Sequence, residues 1–228
     1  MNNFSITKCV SDAWDLAVKH WFLCIIVLVI GIVSSIISGI GSSSPVITPD
    51  MDPDEVLRAY ADMFSGVGLV TNLISMIVSS VLYAGFMKMA MNGYNGEKVD
   101  TNAYKMPFAT YVKYIVGYVA YMVLFSAGLI LCIVPGIFIG VRFMFVPVIL
   151  LDESETDVVE AFRKSWSMTS GNFWTLFGLS LMAILLLLAG LVCCCIGVIF
   201  SVVILYFMWI IAYYYFKGNN NEVVAIGE

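Results

Sequence analysis

Six apolar stretches, each close to twenty residues and nearly free of charge, constrain this chain more than any other feature. Segments 22–40, 173–195 and 197–216 contain no charged residue; 66–90, 112–134 and 136–151 contain one each, Lys88, Lys113 and Arg142. A helix rising about 1.5 Å per residue crosses the roughly 30 Å hydrocarbon core in about twenty residues. Lipid offers no partner to backbone N–H and C=O groups, so runs of this length and continuity fold as helices. The expected fold is therefore all-α, a polytopic membrane bundle of six transmembrane helices. Composition agrees, since 61% hydrophobic and 12% charged residues depart from the roughly 45–50% and 25% of a soluble domain. A net charge of -5 and no clustered Lys or Arg exclude a nucleic-acid partner.

The segments between the runs give the plan of the chain. In 1–21, Ile6, Cys9, Val10, Ala13, Trp14, Ala17 and Trp21 form one apolar stripe opposite Lys8, Ser11, Asp12, Asp15 and Lys19. That pattern predicts an amphipathic helix lying in the headgroup region. Its polar lead and the long run behind it do not fit a cleaved signal, so the N-terminus is expected to be retained. Loop 41–65 breaks every periodicity. Within it Asp52, Pro53 and Glu55 have the spacing of a helix cap, predicting a short surface helix to about Phe64. NGYNGEKVD is a turn cluster, and Tyr104, Phe108, Tyr111 and Tyr114 follow as an interfacial segment. The acids Asp152, Glu153, Glu155, Asp157 and Glu160 mark water, and Val158, Val159, Phe162 and Trp166 predict another interfacial helix. The six runs thus group as three hairpins, each preceded by an amphipathic interfacial helix. With 217–228 as a cytoplasmic tail and 41–65 outside, Lys8, Lys19, Lys88, Lys98, Lys105, Lys113, Arg163, Lys164 and Lys217 all face the cytoplasm and only Arg58 does not. Positive charge near span ends stays inside, so both termini are expected in the cytoplasm.

Segment 130–153, ILCIVPGIFIGVRFMFVPVILLDE, is the most informative stretch. Pro135 and Gly136 interrupt the apolar run, predicting a tight hairpin turn between the third and fourth spans. Ala127 to Phe138 also aligns without gaps on Ala189 to Phe200, identical at six of twelve positions. Each copy would form the outer turn of a hairpin, making parallel-topology repeats of the kind membrane bundles use.

PGIFIGVRFMFVPVILLDE followed by EAFRKSWSMTSGNFWTLF resembles the bacterial membrane-domain family fused ahead of glycerophosphodiester phosphodiesterases, together with its stand-alone relatives. Pro135, Gly136, Arg142, Asp152, Glu153, Ala161, Ser165 and Gly171 carry the resemblance. It covers 98–216 by sequence and the first third by topology. These motifs are structural, and no phosphodiesterase domain accompanies them, so the resemblance implies a membrane domain without hydrolytic activity.

Arg142 is the one charge well inside a run, where insertion costs at least about 2.5–3.5 kcal/mol, and intramembrane charges mark functional sites. Two readings stand. The side chain snorkels toward the nearby outer end or bonds to protein hydroxyls, or it holds a lipid phosphate or other anion. Thr71, Ser75, Ser79 and Tyr83 recur every four residues and place hydroxyls on one face of the second span, the expected companions of Arg142. Cys132, Cys193, Cys194 and Cys195 fall at outer turns, where an oxidising compartment would permit a disulfide; small apolar turn residues are the other reading. Trp14, Trp21, Trp166, Trp174 and Trp209 form an expected aromatic belt, with His20 a further interface anchor. No metal set, phosphate-binding loop or catalytic motif is present, so no cofactor, metal or enzymatic activity is expected. The function expected is that of a bacterial inner-membrane protein binding or organising lipids or a membrane-protein partner. The alternatives are a transporter of a small amphiphilic or anionic solute and, third, an enzyme of lipid metabolism.

Overall fold

The computed structural model describes residues 4–41, 52–56, 58, 66–192 and 194–226. Among them no strand occurs, and nine longer helices follow one another: α1 Ile6–Lys19, α2 Phe22–Gly41, α3 Gly66–Tyr94, α4 Phe108–Leu131, α5 Ile133–Arg142, α6 Val146–Asp152, α7 Val158–Thr169, α8 Phe173–Val192 and α9 Cys194–Ile226. Five spans are long and apolar enough to cross a membrane, α5 and α6 counting as one. A sixth is reached if α1 and α2, which meet at 84°, are taken together. Residues 53–56 form a helical turn behind Asp52, and the rest of the expected surface helix lies largely outside the described residues.

Consecutive long helices pack side by side: α2 on α3, α4 on α5 and α6, and α8 on α9. Small residues allow this. A Cβ on Gly128 would stand 2.9 Å from the Cα of Gly136, and one on Gly190 would stand 2.7 Å from the carbonyl oxygen of Gly197. Gly128 and Gly190 occupy the same position of the internal repeat, so the repeated sequence is a repeated backbone contact.

The turn between α4 and α5 is not at Pro135 and Gly136. Cys132 alone is extended, with φ -174° and ψ 152°, and α5 begins at the next residue. Pro135 sits in the first turn of α5, where its missing N–H leaves nothing unpaired, and Gly136 is buried there as the contact surface for Gly128. The Pro-Gly pair is therefore the start of the returning helix. The last helix likewise continues past the expected tail boundary to Ile226.

The leading helices show more than their apolar stripes predict. α1 packs on α9 while Trp14, Val18 and Trp21 stay exposed. Its Cys9, Ala13 and Ala17 are buried, Phe4 packs against Tyr215 and Phe216, Cys9 Sγ donates to Met208 O at 3.6 Å, and Trp14 meets Phe200 edge-on. Small side chains at i, i+4 and i+8 let α1 approach α9 closely. α7 repeats the device with Ala161, Ser165 and Thr169 buried and Trp166 edge-on to Phe138. Before α4 there is only a 3-10 turn, Thr101–Tyr104, where a third amphipathic helix was expected. Its Tyr104 hydroxyl donates to Leu82 O at 3.1 Å and its ring fills the space beside Gly85.

The core sits where α3, α6 and α9 meet. Every residue from Val146 to Leu151 is buried, with Phe86, Phe207 and Tyr213 among the largest wholly enclosed side chains.

Candidate functional site

The sequence reading gathers Arg142 and the hydroxyls of Thr71, Ser75, Ser79 and Tyr83 at one site. The structure separates them. Ser79 Oγ donates to Ser34 Oγ on α2 at 3.1 Å, Ser75 is buried, and Tyr83 borders a cavity between α3, α4 and α9. The Thr71 side chain lies outside the described residues. Arg142 bonds elsewhere, to Thr169 and Ser170.

Arg142 closes α5, and the chain needs a polar device at that point. The helix breaks over 143–145, and Val146 N donates to Phe143 O at 3.1 Å, leaving the Arg142 carbonyl without its ordinary helical donor. Ser165 Oγ on α7 donates to it instead at 2.8 Å, with Thr169 Oγ1 nearby at 3.3 Å but closer to Ser165 O, at 2.9 Å. The side chain of Arg142 follows the same direction. Nη1 lies 3.3 Å from Ser170 Oγ and 3.5 Å from Thr169 Oγ1. Its guanidinium carbon stands 4.7 Å from the ring centre of Trp166, 5.0 Å from that of Phe138 and 6.0 Å from that of Phe173, within cation–π range. Nε is buried without a partner. Among the described residues no carboxylate forms an ion pair with it.

Of the readings open for Arg142, bonding to protein hydroxyls is the one the geometry shows, although to Thr169 and Ser170 rather than to the hydroxyl face of the second span. The side chain turns to the end of α7 and the start of α8, where three aromatic faces and two hydroxyls are available. Ser170 and Trp166 are exposed, so one edge of this nest is open. Gly171, with φ +81°, makes the turn from α7 to α8 beside it, a conformation that favours glycine.

A second polar group assembles where Asp152 and Glu153 end the core helix. Asp152 accepts from the Tyr213 and Tyr214 hydroxyls, each at 2.8 Å, and from Lys217. Glu153 pairs with Lys164 at 2.6 Å and Lys217 at 2.9 Å. Lys88 Nζ reaches Leu151 O at 3.2 Å, and Lys113 Nζ reaches Ser154 O at 3.0 Å. Burial alone would raise the Glu153 carboxyl, but hydrogen bonds from Lys164 and Lys217 outweigh it and hold the group down at about 2. The sequence reading took these acids for a solvated cap. They are the knot that ties α6, α7 and α9 together. The only signal for it in the sequence is the coincidence of acids at one run's end with Tyr213, Tyr214 and Lys217 at another's.

Of the remaining candidates, Cys132 carries a free, exposed thiol, while Cys193 and the side chains of Cys194 and Cys195 lie outside the described residues. His20 stands between the rings of Phe22 and Phe207, at 5.9 and 6.2 Å, rather than at an open interface. Trp14, Trp21, Trp166 and Trp174 are exposed, whereas Trp209 keeps a buried, unpartnered Nε1. Tyr118 and Tyr206, which border the same cavity as Tyr83, escaped the sequence reading; Tyr118 follows Tyr114 at the same four-residue step that marks the serines of α3.

No family model, curated protein or solved structure matches the chain.

Proposed function

We propose that this chain is a six-span protein of the bacterial cytoplasmic membrane, built as three hairpins with both termini in the cytoplasm, that binds and organises anionic lipids and carries out no chemistry of its own. On this reading it is a relative of the membrane domains that precede glycerophosphodiester phosphodiesterases.

One observation carries the proposal: a full positive charge lacks an anionic partner among the described residues, next to an exposed turn. In the internal repeat Ile204 stands where Arg142 stands, four residues beyond Phe200 as Arg142 is beyond Phe138. The same frame accepts a buried aliphatic side chain there. Arginine is thus not demanded by the packing. A guanidinium presents a planar fork matched to phosphate oxygens, and the rings of Phe138, Trp166 and Phe173 supply apolar walls beside it. An anionic lipid would place its phosphate on the free edge of Arg142 and its chains along the exposed faces of α5 and α8.

The test is lipid extraction from the purified chain followed by phosphate-lipid analysis. Arg142→Gln should lose most of the retained anionic lipid and Arg142→Lys, which keeps charge but not the fork, an intermediate share; unchanged retention in both would reject the proposal. Reporter domains fused after Gly41 and after Lys217 should report opposite compartments. Finding both in one compartment would remove the six-span arrangement.

A further inference from the structure

The cavity between α3, α4 and α9 has about 450 Å³ of space, in the range of pockets that hold small organic ligands. It is bordered by Ser79, Ser80, Tyr83, Tyr114, Tyr118 and Tyr206, with no Lys, Arg, Asp or Glu on its wall. Ser79 has Ser34 as a partner. The four phenols have no hydrogen bond to a protein group among the described residues. Elsewhere the same side chain is satisfied: Tyr104, Tyr111, Tyr213 and Tyr214 each donate to a carbonyl or carboxylate. None of these four oxygens is sealed inside the protein; all four residues line this cavity, so a molecule in the cavity can supply the partner that the protein does not.

The depth of the cavity matters as well. Tyr83 and Tyr118 each lie five residues inward from a lysine, Lys88 and Lys113, which places them about 7.5 Å from the charged end of the bundle. Met76, which lines the cavity, is also exposed on the surface of α3 at the level of the apolar runs. An amphiphile entering there brings its head to the phenols while its chain stays among apolar side chains.

We propose that this cavity binds an uncharged amphiphile whose head carries carbonyl oxygens, which accept the hydrogen bonds that Tyr83, Tyr114, Tyr118 and Tyr206 donate to no protein group. Phenols supply donors; a wall without cations gives an anionic head no countercharge; the aromatic faces, with Tyr114 and Tyr118 stacked at 6.2 Å and Tyr206 edge-on to Phe86 at 4.9 Å, suit a flat or ester-bearing head. Ester carbonyls of a neutral glycerolipid and ring carbonyls of a quinone share this chemistry. The site is separate from Arg142 and stands without it.

The test uses the full chain in maltoside micelles, whose detergent carries no carbonyl group to compete, and three probes: dioctanoylglycerol, a short-chain quinone, and dioctanoyl phosphatidylglycerol as the charged control. Binding is read by tryptophan fluorescence, since the Trp209 ring lies 6.0 Å from that of Tyr206, with Trp209→Phe to identify the reporter. At least one carbonyl probe should bind saturably, and which one identifies the source. Tyr118→Phe with Tyr206→Phe keeps both rings and should weaken that binding about thirtyfold, roughly five- to tenfold for each hydrogen bond lost. Each single variant should show its own share, which keeps the test open if the double variant folds poorly. The control should bind no better to wild type than to the double variant, and Arg142→Gln should leave the carbonyl probe's affinity unchanged. No saturable binding of either carbonyl probe, or equal binding by wild type and the tyrosine variants, would overturn the proposal.

Discussion

The pair α4 and α5 with α7 laid against it, and the pair α8 and α9 with α1 laid against it, are two versions of one device. In each, a glycine of the outgoing helix meets the backbone of the returning one, at Gly128 and Gly190. In each, a phenylalanine of the returning helix takes the edge of a tryptophan from a separate amphipathic helix, Phe138 with Trp166 and Phe200 with Trp14. In each, that helix buries three small residues at four-residue steps, Ala161, Ser165 and Thr169 or Cys9, Ala13 and Ala17. The versions differ at Arg142 and Ile204. One frame thus supports a caged cation in one copy and a packed aliphatic in the other, which separates what the architecture requires from what was added to it.

Exchanging the two residues breaks the comparison most severely. Ile204→Arg buries a charge without the hydroxyls of Thr169 and Ser170, and should lower stability by about 3 kcal/mol. Arg142→Ile should change stability by less than about 1 kcal/mol while losing anionic lipid. Thermal unfolding in detergent checks both, and a large loss in Arg142→Ile would make the arginine structural. The next effect down is at the shared glycines. Gly128→Ala and Gly190→Ala press a methyl group onto backbone that cannot yield, and each should cost about 1–3 kcal/mol. Unequal losses in the same unfolding assay would show that the two contacts are not equivalent.

A smaller difference follows from the helix break. Ser165→Ala removes the donor 2.8 Å from the Arg142 carbonyl and should cost about 1 kcal/mol. Ala13→Ser, at the corresponding position of α1, should gain nothing of comparable size, because α9 continues unbroken there and its carbonyls keep their helical donors; unfolding midpoints measure the pair. The smallest effect is titration of the knot at the end of α6. Glu153 is held down from its ordinary value of 4.5 to about 2, so its contribution is fully present above 4.5 and fades as pH falls toward 2. Lys164 is raised by its hydrogen bond to Glu153, so its own share persists until alkaline pH. Stability measured from pH 6 to pH 2 should fall less steeply in Lys164→Met than in wild type, and identical profiles would show that the pair contributes nothing.

Much of this was legible in the residues. The apolar runs became helices because lipid-compatible segments of that length admit little else, and the Gly128 and Gly190 repeat was visible as identity before its contacts were. Arg142 stood out because a charge in an apolar run is rare. Its direction did not: counting residues from Pro135 located the side chain along one helix, while Thr169, Ser170 and three rings from other segments decided where it turned. Cys132 replaced Pro135 as the turn for a similar reason, since proline is equally at home in a turn and in the first turn of a helix.

By itself the amino-acid order determined the all-helical fold class, the approximate helix limits and the apolar faces, because these depend on residues near one another in the chain. Only the tertiary structure decided which surface covers each face. The small residues of the α1 stripe meet α9 while its Trp14 and Trp21 stay exposed; Tyr83, Tyr114, Tyr118 and Tyr206, each an ordinary tyrosine in its own helix, come to border one cavity. Periodicity specifies the side a residue occupies, but the identity of its neighbour is set by close packing among segments far apart in sequence, which no local pattern encodes.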